Sequence, residues 1–413
     1  MKKTRASVRM VALLLTLGMT TAACGFGADE GDKGDSQSID LLVPSYSDAT
    51  KGLWEGIIKD FEADNPDIKV NLEVQSWDNI NDVVRTKVQS GEAPDILNID
   101  AFAGFAGEDL LYKAEDVVSP ETLADFQDSF KENASIDGTQ YGLPLIASAR
   151  TMFVNTDLMA KAKIASVPKT WDELLDASKK ISALGGGVSG YGMPLGSEEA
   201  QAETSIWAFG NGASWGNSDE LTIDTPEAVE AVEFMKKMID EGATQKDPGA
   251  TDRTPLINVF VQGKLGFIEA LPPTVGQIAD ENPQLKYELA PIPTKDGSPV
   301  TLGVADHLMA FKNDGDKQDD IKKFLDYFYT EAVYSNFVST EHFLPVTKSA
   351  AASFDDPSLK VFLDALPNAK FYPSTNPNWA AAQGAFQTLI GEIGQGKAAD
   401  DVLKQIQDKA DAS

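Results

Sequence analysis

The chain is poor in the residues that most enzyme and metal readings need. It has one cysteine, Cys24, and two histidines, His307 and His342. A single cysteine excludes internal disulfides and cysteine-rich zinc sites. Two histidines leave little for metal or acid–base chemistry, so neither a metal nor a cofactor is expected. Positive charge is also scarce. Lys and Arg number 35 against 64 Asp and Glu, a net charge of −29. No basic surface is available to neutralise phosphates, which excludes nucleic acid as a partner. No apolar run reaches the roughly 20 residues of a membrane-spanning helix. Neither a P-loop nor a dinucleotide fingerprint occurs. One catalytic-looking string, Gly212-Ala213-Ser214-Trp215-Gly216, matches G-x-S-x-G. A nucleophile elbow needs a strand before it and a helix after it. Here a helix-like Ala202–Phe209 precedes and a turn-rich Asn217-Ser218-Asp219 follows. A secreted serine hydrolase using Ser214 is therefore only a remote alternative, and the chain is read as a non-enzyme.

What is present starts with a targeting segment at residues 1–23. Lys2, Lys3, Arg5 and Arg9 precede a short apolar run, Met10 to Met19, which ends in Thr21-Ala22-Ala23-Cys24. Small residues before a cysteine resemble the lipobox of bacterial lipoproteins. The resemblance implies cleavage before Cys24 and its acylation, and so a protein held at the extracytoplasmic face of the cell membrane by a lipid alone. Cleavage removes four cations and no acid, leaving the mature chain at −33 with Arg85, Arg150 and Arg253 as its only arginines. Residues 24–38 are rich in Gly, Asp and Ser and read as a flexible tether.

The body alternates strand and helix signals. Ile39 to Val43 is a short apolar strand candidate, followed by Leu53, Trp54, Ile57, Ile58 and Phe61 at helical spacing. Ile68, Val70, Leu72 and Val74 alternate with period two. Ile80, Val83, Val84 and Val88 then mark a helix ending at Gly91, and Asp95 to Ile99 the next strand. Such alternation predicts an α/β fold with a mostly parallel sheet. Ligands bind beyond the carboxyl ends of such strands, which points to Ser45-Tyr46-Ser47 and Asp100-Ala101-Phe102. Further on, Thr170-Trp171-Asp172-Glu173 is a capping box, and Thr225-Pro226 opens another helix with proline in its first turn.

Several motifs resemble the sugar-binding proteins of ABC importers, the maltose-binding-like family. They are Ala93-Pro94-Asp95-Ile96-Leu97, Tyr141-Gly142-Leu143-Pro144, Phe153-Val154-Asn155 followed by Pro168 to Leu174, Phe260 to Lys264, and Phe343-Leu344-Pro345-Val346. They run in family order from about residue 40 to 400. The resemblance implies the two-lobed periplasmic-binding-protein type II fold, with a hinge crossed three times and ligand clamped between the lobes. By position the crossings are expected near Ile146–Arg150, Glu269–Pro272 and Asn313–Lys317. Lobe 1 would then hold 39–148 and 270–314, and lobe 2 would hold 149–269 and 315–413. Where maltose-binding proteins carry Gly-Pro-Trp, this chain has Leu271-Pro272-Pro273. One stacking tryptophan is missing, which puts the identity of the sugar in doubt.

Sugars present flat C–H faces and rings of hydroxyls. Their sites need aromatic faces and planar polar groups. The resemblance places Glu199 and Gln201 at a hydroxyl-binding pair and Trp207 and Trp215 in or near the pocket. Trp379 matches a stacking tryptophan. Trp207 is read either as a stacking face or as core. Asp306-His307 interrupts an apolar segment, and polar groups there need partners, either each other or a ligand. Arg150 falls at the first crossing and would bond ligand or tie the lobes. The candidate ligand-binding residues are thus Ser45, Tyr46, Asp100, Phe102, Arg150, Glu199, Gln201, Trp207, Trp215, Asp306, His307 and Trp379. Trp54 and Trp171 lie on helix stripes and are read as core. The expected activity is capture of a mono- or oligosaccharide by a monomer and its delivery to ABC permease transmembrane subunits. The alternative is a binding protein for a non-sugar such as a polyamine.

Overall fold

The computed structural model describes residues 38–313 and 317–412. Cys24, the signal segment and residues 24–37 of the tether lie outside the described residues, as do positions 314–316 of the expected third crossing. In chain order the strands are β1 Ser38–Pro44, β2 Lys69–Gln75, β3 Ile96–Ile99, β4 Ser135–Ile136, β5 Thr139–Gln140, β6 Leu143–Ala149, β7 Thr151–Asn155, β8 Ser189–Tyr191, β9 Leu265–Ala270, β10 Tyr287–Ala290, β11 Thr301–Ala310 and β12 Ala369–Lys370.

The first lobe is built on β2, β1 and β3, which pair in parallel with Leu41 opposite Leu72 and Ile96. β11 runs antiparallel to β3, and β6 antiparallel to β11. Ile39, Leu41, Leu42 and Val43 are all buried. Residues that face both ways from one strand are all buried only where helices cover both sheet faces. On one side lies the helix Thr50–Asp64, whose Trp54, Ile57, Ile58 and Phe61 form its inward stripe. Trp54 stacks on Phe328 with centroids 4.9 Å apart and planes 17° from parallel. Truncating such a buried aromatic costs about 3–5 kcal/mol. Asp95, from the Ala-Pro-Asp motif, accepts the Asp40 amide at 2.8 Å and Lys317 Nζ at 2.8 Å, so its role is structural.

The second lobe carries β10-β7-β9-β8, antiparallel except for the β8–β9 pair. Its helix Trp171–Ser182 forms half of the expected capping box: Thr170 caps it, but the Glu173 carboxylate reaches back past the N-cap amide to the residue before it. Glu173 N donates to Thr170 Oγ1, and Lys169 N donates to Glu173 Oε2. The helix Ala200–Phe209 has every residue buried, so it runs through the lobe interior.

The two-lobed α/β expectation agrees with this arrangement; the lobe boundaries do not. The first crossing is at Arg150, between β6 and β7. The chain does not return near Glu269–Pro272. The helix Pro273–Glu281 packs on Arg253–Val261 instead, and β10 completes the second sheet as its edge strand on β7. The return comes between β10 and β11. The helix Gln318–Phe328 then packs on Ala114–Val117 and on Thr50–Asp64, which places it in lobe 1 rather than lobe 2. Only after β12, which pairs with the start of β11, does the chain re-enter lobe 2 with Trp379–Leu389 and Ala399–Asp411. At the hinge Arg150 N donates to Leu302 O at 3.0 Å, and Thr301 Oγ1 donates to Arg150 O at 2.6 Å. These bonds fasten two crossing segments side by side.

Candidate functional site

A cleft of about 430 Å³ opens between the lobes. Lobe 1 contributes the loop after β1, the loop after β3 and one face of β11. Thr50 Oγ1, at the start of its helix, accepts the amides of Tyr46 and Ser47 at 2.9 Å each and so fixes the first loop. Tyr46 then points its hydroxyl at two oxygens, Asn98 Oδ1 at 3.0 Å and Asp306 Oδ2 at 2.6 Å. Asn98 Nδ2 donates to His307 O, which sets the amide so that Oδ1 faces Tyr46. One hydroxyl proton cannot serve two acceptors. A protonated Asp306 resolves the conflict by donating to Tyr46 while Tyr46 donates to Asn98. Burial first, then the neighbouring Asp100 charge, raise Asp306 to about 7. Asp100 is raised to about 6, chiefly by burial and further by Glu199, against backbone N–H groups that favour its charge.

Lobe 2 contributes a turn and a buried charge network. Glu199 stands just before the helix Ala200–Phe209 with φ +58°, a left-handed conformation that side chains rarely adopt and that is held only by its surroundings. The turn is tied to the next segment. Glu198 N donates to Asp252 Oδ1 at 2.9 Å, and the Glu198 carboxylate accepts Thr254 N at 2.8 Å. Glu199 thereby meets both arginines of the cleft. Arg150 Nη2 donates to its Oε1 at 2.7 Å, and Arg253 Nε lies 3.2 Å from its Oε2. Arg253 also donates to Glu203 Oε2 at 3.0 Å and to the Glu269 carbonyl at 2.7 Å. Glu203 accepts Tyr191 Oη and Trp207 Nε1 on its other oxygen. Among the described residues one oxygen of buried Glu269 has no partner, and burial beside Glu203 pushes its carboxyl well above the usual range. Among the described residues Arg150 Nε and Nη1 and Gln201 Oε1 find no partner.

The structure brings Ser45, Tyr46, Asp100, Arg150, Glu199, Gln201 and Asp306 to this one cleft. Five other candidates lie elsewhere, each for a packing reason. His307 follows Asp306 on a strand, so its ring points to the opposite face. There Nδ1 donates to Asp100 O at 3.2 Å and the ring meets Phe102 edge-on. Burial lowers it to about 4 and keeps it neutral. Gly142 makes room for it, since a Cβ there would sit 2.9 Å from the imidazole. Phe102 is core for the same reason. Trp207 packs among Trp171, Tyr191 and Phe234, and Trp215 against Phe386 with its N–H on Ser205 Oγ. Trp379 is fully buried and stacks behind Tyr372, which is the ring that lines the cleft. Ser214 is exposed in a loop that follows a helix, without the strand an elbow needs.

Arg253, Tyr372, Phe343 and Trp77 also line the cleft and were not among the candidates. Scarcity of arginine was a usable signal for Arg253. Phe343 belongs to the Phe-Leu-Pro-Val motif quoted above. Trp77 follows β2 as Tyr46 follows β1, and the two rings are 5.7 Å apart. Across the mouth, His342 of lobe 1 rests on Gly276 of lobe 2, where a Cβ would lie 2.6 Å from the imidazole.

Residues 44–334 match the family described as bacterial extracellular solute-binding protein. A Brucella abortus chain described only as a binding protein is 34% identical over 412 residues, covering 96% of this chain and 97% of its own. The diacetylchitobiose binding protein of Streptomyces coelicolor is 24% identical, with 97% of each chain covered. Among solved structures, an ABC transporter solute-binding protein from Thermotoga lettingae bound with α-D-tagatose superposes with TM-score 0.79. It is 20% identical and covers 91% of this chain and 99% of its own.

Proposed function

Because the chain belongs to the bacterial extracellular solute-binding protein family, we propose that it captures a carbohydrate between its lobes and delivers it to the transmembrane subunits of an ABC importer. One observation carries this reading. Planar polar groups from both lobes and the hinge, with the aromatic faces of Tyr46, Trp77 and Tyr372, converge on one cleft. Carboxylate, amide and guanidinium groups can each bond adjacent hydroxyls, and the rings cover C–H faces. Ligand that touches Asp306 on one side and Glu199 on the other favours the lobes-together state by its differential contacts. No reaction is assigned. Family members and relatives are binding proteins, and the only serine in an elbow-like string is outside the cleft.

Cys24 is proposed as the acylated residue that holds a monomer at the extracytoplasmic face of the membrane. Replacing it in Cys24→Ser should release the protein or leave an uncleaved precursor; unchanged membrane retention and mass would overturn the anchor. The binding reading is tested by calorimetry of the purified soluble body against mono- and oligosaccharides. Saturable binding by at least one sugar is expected, and failure of all of them would overturn the carbohydrate assignment.

A further inference from the structure

Seven acidic side chains and two arginines line the cleft. The arginines are already used: Arg150 is paired with Glu199, and Arg253 with Glu199 and Glu203. Asp100 and Asp306 are left over. Among the described residues no lysine or arginine forms an ion pair with either, although both face the cleft and Asp306 is 2% exposed. Asp306 Oδ2 meets Tyr46, while Oδ1 accepts no hydrogen bond from the described residues. Gln201, 3% exposed, adds a second acceptor without a donor. Buried acceptors without donors call for a ligand that donates. Beside them stands a cluster of rings, with Tyr46 5.7 Å from Trp77 and 4.9 Å from Phe343. Carboxylates at the edge of an aromatic cluster offer a compact cation both charge and ring contact.

We propose that the sugar this cleft selects carries a protonated amino group, held by Asp306 and Asp100 beside the Tyr46 ring. The inference rests on the carbohydrate reading and narrows it. An ammonium has three donors and no acceptor, which matches the two carboxylates and the Gln201 oxygen. The sugar's hydroxyl oxygens remain for the unpartnered N–H groups of Arg150. Entry of the cation converts Asp306 to its carboxylate. Tyr46 then turns its proton to Asp306, and the proton that Asp306 carried leaves to solvent. The groups facing Asp306 in this exchange are Tyr46, Asn98, Asp100, Arg150 and Glu199; His307 is turned away.

The test is calorimetry at pH 7 on mono- and disaccharides, each in hydroxyl, acetamido and amino forms, with putrescine and spermidine alongside. An amino form should bind about tenfold or more tighter than its hydroxyl counterpart, as expected for a charge-assisted bond. Asp306→Asn should reduce that preference to about threefold or less, because its amide cannot supply the charge. Titrations in buffers of different ionisation enthalpy should show proton release for the amino form only. A neutral sugar that binds as tightly as its amino form would overturn this inference and leave the carbohydrate reading standing. Polyamine binding with no sugar bound would overturn both. So would the absence of any binding.

Discussion

Asp306 makes the ligand cleft a cost to the fold, and the size of that cost depends on pH. Its carboxyl is raised to about 7 in the folded protein, whereas an unfolded aspartate titrates near 3.9. The folded state therefore holds this proton more tightly than the unfolded chain does. The stability it contributes is complete below about pH 4 and is lost as pH rises through about 7. At about 1.36 kcal/mol per unit, a difference of roughly three units amounts to about 4 kcal/mol once both states are ionised. Asp306→Asn removes that loss and keeps the local bonds. The asparagine Nδ2 donates to Tyr46 as the protonated carboxyl does, and Tyr46 still donates to Asn98. Urea unfolding of the ligand-free protein should then show the variant gaining on wild type by about 2–3 kcal/mol between pH 5 and pH 8. Other raised carboxyls, such as Glu198 and Glu269, are present in both proteins and cancel in the comparison. Asp100 does not cancel, but losing the Asp306 charge lowers it, which adds to the variant's gain at high pH. A difference that stays flat from pH 5 to pH 8 would refute the reasoning. So would a variant less stable than wild type at pH 8, which would mean that Asp306 is ionised and stabilising.

Arg253→Met should strand Glu203, which is fully buried, and cost about 3–5 kcal/mol in urea unfolding. Adding Glu203→Gln should recover part of that loss, and equal losses for the single and double variants would contradict the buried pair. Trp379→Ala should cost about 3–5 kcal/mol of stability as a core truncation. Tyr372→Ala should cost less stability but weaken sugar binding about tenfold or more in calorimetry; the reverse pattern would return the stacking role to Trp379. Gly276→Val places side-chain atoms against His342 and should keep the lobes from meeting. Scattering should give it a larger radius of gyration than wild type under saturating sugar, and an unchanged radius would remove His342 from the closure.

Periodicity in the sequence was sufficient for β1, β2 and β3, half of the lobe 1 sheet, and for the helices between them, because alternation and helical stripes report which face is buried. They do not report against which partner. The stripe of Gln318–Phe328 is equally compatible with either lobe, so its packing on Thr50–Asp64 was not legible. The edge strand Tyr287–Ala290 likewise joins lobe 2 through backbone pairing, which leaves little trace in side-chain pattern. Within the site, Asp306 and His307 show the same limit at the scale of two residues. A strand sends neighbours to opposite faces, and the sequence says that one faces in without saying which. Trp207 belongs to a helix buried all round, so no polar face exists to orient it. Asp100 and Tyr46 were legible because the rule for parallel strands concerns chain direction, which the sequence does carry.

The contact between Tyr372 and Trp379 also has an optical consequence. The planes are 26° from parallel at 4.9 Å, with the tyrosine lining the cleft and the indole sealed behind it. Trp54, Trp171, Trp207 and Trp215 are buried in the lobe interiors, away from the cleft. Only Trp77 and Trp379 stand at or one ring behind the place where solute binds. On the proposed function, a sugar face laid on Tyr372 would change the polarisability one ring away from the Trp379 chromophore, while Trp77 would lose water directly. The molecule thus carries one half-buried and one fully buried emitter at its candidate site. Their combined red-edge and quencher-sensitive response can follow occupancy without any added label.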